Sequence, residues 1–170
     1  MTATIPLTAE RADLLETLAV HRYFLRHTVQ GLTDEQARLR PTASALYLGG
    51  LIKHVAATEA SWVRFAEGGA EAMHRNWGPD VLSRHWHLAP GETLADVLAE
   101  YEAVAAHTDE LVATLPDLDA DHALPEAPWF EPGARWSARR VFLHIIAETA
   151  QHAGHADILR ESLDGQKTMG

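Results

Sequence analysis

His144, Glu148, His152 and His155 follow one another at intervals of four, four and three residues. In an α-helix of 3.6 residues per turn, that spacing stacks all four side chains along one stripe. The same stripe carries Val141, Ile145, Leu159 and Leu163, an apolar set that marks it as core-facing. Imidazoles and a carboxylate turned toward a core are costly unless each meets a charge partner, a hydrogen bond or a metal. A divalent cation would satisfy them together, because one helical turn lets Glu148 and His152 reach the same ion. The plainer reading of that pair is a buried, hydrogen-bonded Glu and His without metal.

A catalytic metal site takes three protein ligands and keeps one position open, so a third ligand should project from a facing helix. His54 suits that place. It stands one turn from Leu51 and Thr58 and borders an apolar line. His74, His85 and His87 fall in a segment read as loop, and His107 and His122 have no partner at helical spacing. One oxygen and two nitrogens suit zinc, nickel, iron or manganese. His144 and His155 are read as groups that orient a ligand, as walls of the site, or as satisfied core histidines. Arg160 either pairs with Asp157 at i, i+3 or binds a substrate carboxylate. His21 reads as structural. The five tryptophans, Trp62, Trp77, Trp86, Trp129 and Trp136, read as core or loop anchors, with Trp86 and Trp129 placed where a pocket rim would form.

Four long amphipathic patterns must position these groups. The first follows a Thr8 cap, with Leu14, Leu15, Leu18, His21, Phe24 and Leu25 on one side, and ends near Gly31. A short Thr33-Asp-Glu-Gln helix start and Pro41 precede the second, expected over roughly residues 46–67. Residues 68–91 hold glycines, prolines and no sustained period, and read as a long connection. The third pattern starts at a Thr93 cap and stops before Pro116; residues 117–136 form an acidic, proline-rich loop, and Ser137 caps the fourth. No β alternation stands out. The expected fold is all-α, a four-helix bundle with long crossover connections, as one domain over residues 1–170.

Composition narrows the function classes. The 170 residues carry a formal net charge of -10, which argues against binding a phosphate backbone, an affinity that comes from Lys and Arg. There is no cysteine, so disulfides, thiolate ligands and a cysteine nucleophile are excluded, and any thiol chemistry needs an external thiol. No secretory leader and no apolar run of the ~18 residues that a membrane span requires is visible. The expectation is a soluble, cytoplasmic protein with a small-molecule substrate and neither nucleic acid nor membrane as partner.

Two segments are distinctive as they stand: Leu48-Gly-Gly-Leu-Ile-Lys-His-Val-Ala-Ala-Thr-Glu-Ala-Ser-Trp62, and the run from Trp136-Ser-Ala-Arg-Arg to Leu-Asp-Gly165 that contains the His/Glu stripe. Together they resemble the DinB-like superfamily, and within it the actinobacterial branch of mycothiol-dependent enzymes, the mycothiol S-transferases and maleylpyruvate isomerase-like proteins. The resemblance extends over nearly the whole chain. It implies a helical bundle holding a metal through one side chain of the second helix and two of the last, here His54, Glu148 and His152. Many members have His where this chain has Glu148, so the set resembles the His, Glu, His variant; His144 and His155 stand as alternative ligands. The resemblance further implies a divalent metal, zinc first, and a low-molecular-weight thiol such as mycothiol, whose pKa the cation lowers so that a thiolate is available near neutral pH. Arg160 or His155 would orient that thiol or move a proton.

The leading expectation is therefore a metal-dependent thiol S-transferase acting on small electrophiles in detoxification. The alternatives are a thiol-dependent isomerase, a metal-dependent hydrolase, and a non-catalytic module that binds metal or ligand. Family likeness also permits a homodimer, formed through apolar residues on the outer sides of the first two helices.

Overall fold

A computed structural model describes residues 7–74 and 84–168. Helix α1 (Ala9–His27) starts where the Thr8 hydroxyl accepts a hydrogen bond from Arg11 N. Glu10 in its first turn and Arg26 and His27 in its last complement the helix dipole. The short α2 (Asp34–Ala37) is held by a capping box between Thr33 and Gln36. Helix α3 (Leu48–His74) follows, then α4 (Leu94–Thr114), opened by a second capping box between Thr93 and Asp96. Helix α5 (Ala138–Asp164) starts at the Ser137 cap and ends at Gly165, whose φ of 81° is the left-handed conformation that glycine adopts without steric cost.

Two expectations need correction. The second long helix does not give way to a loop at Gly68: α3 breaks locally at Gly68 and Gly69 and then continues to His74. His74 is therefore a helical residue. The break admits a neighbour, because Gly69 has φ 71° and a Cβ there would lie 3.1 Å from the His122 ring. The acidic loop, structured and non-helical as expected, holds β structure although no β alternation stands out in its sequence. It contains β1 (Asp121–Ala123) and β2 (Arg135–Ser137), an antiparallel pair in which His122 faces Trp136. Three residues per strand are too few for an alternating pattern to register. Ser137 ends β2 and caps α5, so the ribbon sets where the last helix begins.

The four long helices form the expected bundle. Helix α1 packs on α5, α3 packs on both α4 and α5, and α1 meets α4 over a shorter seam. The core falls into two clusters. One joins Leu25, Leu51, Ile52, Val55, Tyr101, Ala156 and Leu159; the other joins Leu14, Leu18, Phe65, Val112, Val141, Phe142 and Ile145. Between them in register along the four helices lie Arg22, Glu59, Thr108 and Thr149, all buried. Arg22 donates to both Glu59 oxygens, at 2.5 and 3.3 Å, and to Asp109 at 2.7 Å, while the Thr108 hydroxyl donates to Glu59 at 2.6 Å. Every member of this charged layer has a partner, as burial requires. Among the described residues, no helix is long and apolar enough to cross a membrane.

Candidate metal centre

On α5 the helical turn does what the spacing implies. His152 Nε2 lies 3.6 Å from Glu148 Oε2, and His144 Nε2 lies 3.7 Å from Glu148 Oε1, which puts the carboxylate between two imidazoles. Helix α3 brings His54 against this pair from the facing side, its ring centroid 4.9 Å from that of His152 and nearly perpendicular to it. One ligand-competent atom each of His54, Glu148 and His152 lies within 4.8 Å of the others. Donors about 2.1 Å from a tetrahedral ion stand roughly 3.4 Å apart, so the set is within about an ångström and a half of closure.

The stripe is less deeply buried than its apolar neighbours suggest. Val141 and Ile145 are sealed, whereas the Glu148 side chain keeps 28% of its exposure and that of His152 keeps 11%. The groups border the core and open outward, as a site that receives a substrate must. Burial, with His152 close by, pushes His54 down to about 4, so its imidazole is neutral at physiological pH. Burial also lowers His144. Glu148 is held below the usual carboxylate range by its hydrogen bond with His152 and by the nearby imidazoles. A neutral imidazole and an ionised carboxylate are the states in which these groups ligate metal. A further observation fits the donor set: His54 Nδ1 is buried with no hydrogen-bond partner, a costly arrangement in a site without a cation.

The surroundings are aromatic. Trp86 stacks on His54 at 3.5 Å between centroids, and Trp62 stacks on Trp136 at 4.8 Å with His144 edge-on to both. A cavity of about 80 Å³ beside His54 is lined by Thr58, Ser61, Trp62, Met73, His85 and Trp86. His155 Nδ1 is 3.4 Å from His152 Nδ1. His144 and His155 thus flank the triad one turn before Glu148 and one turn after His152. Arg160 stands apart. Its expected pairing with Asp157 is replaced by one with Asp164 at 2.9 Å, and it also donates to the carbonyls of Thr28 and Gln30 and to the Gln166 side chain. These bonds tie α5 to the chain beyond α1; none reaches the triad. Trp129 is largely exposed, and Trp77 lies outside the described residues. Two lining residues fall outside the sequence reading of the site: His85, set aside as a loop histidine because it follows an aperiodic stretch, and Met73, which lies beyond the Gly68–Gly69 break.

Residues 13–165 match the family model described as mycothiol S-transferase. The chain belongs to the mycothiol S-transferase family. Among solved structures, this mycothiol S-transferase family member is similar to a conserved protein from Enterococcus faecalis, at 16% identity and a TM-score of 0.65, over 95% of this chain and 100% of that one. That likeness shows the helical-bundle fold and nothing of the chemistry. None of the curated proteins matches the chain.

Proposed function

We propose that this protein is a metal-dependent S-transferase that joins a low-molecular-weight thiol, of the mycothiol type its family is named for, to a small electrophile. The observation that carries the reading is the convergence of His54, Glu148 and His152, on two facing helices, in a chain of this family. The cation, zinc first among candidates, would be held by those three side chains and would supply Lewis acidity that makes the thiol acidic enough to ionise near neutral pH. The balanced reaction is a substitution: the thiol gives up its proton, its sulfur bonds to the electrophilic carbon, and the leaving group departs with the bonding pair.

The chain's own residues prepare the site. His54 arrives neutral, and Glu148 arrives ionised. His152 Nε2 faces Glu148 and its Nδ1 faces His155 Nδ1 at 3.4 Å, so a bound cation would take the place of the Nε2 proton while a proton on Nδ1, donated to His155, would fix the ring. His144, neutral and partly exposed beside Glu148, can accept the thiol proton at Nε2. Trp62 and Trp136 wall His144, and Trp86 covers one face of His54. The chain has no cysteine, so the attacking sulfur comes from the cosubstrate. The role fits clearance of small electrophiles in a reducing cytoplasm. The test is conjugation of monobromobimane with and without mycothiol: acceleration that needs mycothiol supports the reading, and turnover indifferent to any thiol overturns it in favour of hydrolysis.

A further inference from the structure

Residues 84–92 are fastened across the first turns of α3 by side chains from several elements. Tyr47 Oη accepts from Leu88 N at 2.8 Å. Lys53 Nζ donates to the His87 carbonyl at 3.1 Å and pairs with Glu92 at 2.7 Å. The Arg38 guanidinium donates to the carbonyls of Leu88, Ala89 and Glu92. The close approach depends on two adjacent glycines in the first turn of the helix. A Cβ on Gly50 would lie 2.5 Å from the Trp86 carbonyl oxygen and 2.9 Å from the Tyr47 ring, and one on Gly49 would lie 2.7 Å from the Leu88 side chain. A side chain at either position would meet these atoms, so glycine there answers a need for space.

That space lets the indole of Trp86 lie flat on His54, 3.5 Å between centroids and 13° from parallel. The stack matters because His54 lacks the usual means of orientation. A ligating histidine ordinarily has its second ring nitrogen fixed by a carboxylate, a carbonyl or water. In His54, Nδ1 has no partner and Nε2 has only Thr58 Oγ1 at 3.5 Å, so whichever nitrogen ligates, the other is weakly held at best. We propose that the 84–92 strap is a positioning device for the metal centre: Gly49 and Gly50 admit it, Tyr47, Lys53 and Arg38 fasten it, and Trp86 fixes the His54 ring by stacking in place of a hydrogen bond. Trp86 is a positioning residue on this account, and the inference rests on the metal-centre reading above.

Zinc affinity by chelator competition on the full chain tests it, together with the ring-proton shifts of His54 in the metal-free protein. Trp86→Ala should weaken zinc binding about 10- to 100-fold, the range typical of losing a group that orients a ligand. Trp86→Phe, which keeps a ring, should restore most of that loss. Gly50→Ala should behave like Trp86→Ala, whereas Gly154→Ala on α5, where a Cβ meets nothing within 4 Å, should bind as wild type does. In the metal-free wild type the His54 ring protons should be shifted upfield by the indole, and Gly50→Ala and Trp86→Ala should abolish that shift. Where Gly50→Ala does not fold, Trp86→Ala decides, since it introduces no clash. Wild-type affinity in folded Trp86→Ala, or unshifted His54 protons in the wild type, overturns the strap proposal while leaving the metal centre standing. A wild type that binds no zinc yet keeps the upfield shift overturns the metal-centre reading, and the positioning role with it.

Discussion

Glu148 carries the only formal negative charge in the proposed donor set, since the other two donors are imidazoles. One carboxylate beside neutral imidazoles leaves a divalent cation net positive and therefore still a Lewis acid. Glu148→Gln removes that charge and keeps the size. We expect it to weaken metal retention by more than the ~10–100-fold that loss of a supporting residue costs, as read by chelator competition; unchanged retention would make Glu148 a core hydrogen-bonder. His54 makes a separate prediction for the metal-free protein. Its folded pKa of about 4 lies below the unfolded value of about 6.5, so between those pH values the unfolded chain binds a proton that the fold does not. Stability of the metal-free protein should therefore fall as pH drops from about 6.5 toward about 4, with His144 acting in the same direction, and the urea midpoint at pH 5 should lie below that at pH 7. Equal midpoints would show that burial does not hold these rings neutral. At this scale the triad was legible because Glu148 and His152 are neighbours on one helix. The Trp86 stack on His54 was not, because it depends on how a non-periodic segment folds back over α3.

Three of the four long helices, α1, α4 and α5, announce their start through a capping residue, as does the short α2. Thr8, Thr33, Thr93 and Ser137 each accept a hydrogen bond from a first-turn backbone N–H, as their positions before apolar periods imply. The Gly68–Gly69 pair misled for a physical reason: it breaks the dihedrals of α3 locally, and the chain resumes helix after making room for His122. The charged layer was also invisible, since Arg22, Glu59, Thr108 and Asp109 come from three helices and no local spacing links them. Breaking a buried ion pair by removing one partner typically costs 3–5 kcal/mol. Glu59→Ala should lie near the low end, about 3 kcal/mol, because Asp109 still reaches Arg22. Urea denaturation checks this, and a loss below about 1 kcal/mol would show that the layer adds little to stability.

Taken whole, the molecule is a bundle whose two apolar clusters are separated by the charged layer, with the metal-competent triad in the α3–α5 seam close to that level. The exposed large apolar residues within helices are Val20 and Tyr23 on α1 and Leu143 and Ile158 on α5, among those described. None lies on α3, so the outer apolar surface differs from the one expected on the first two helices. The central claim is that the bundle exists to hold a cation at His54, Glu148 and His152. Elemental analysis of the purified wild type beside His152→Ala tests it most directly. The account predicts close to one divalent metal per wild-type chain and a large loss in the variant with the helical content unchanged. A wild type that neither carries metal nor takes it up on reconstitution, or a variant that retains the full complement, would contradict it.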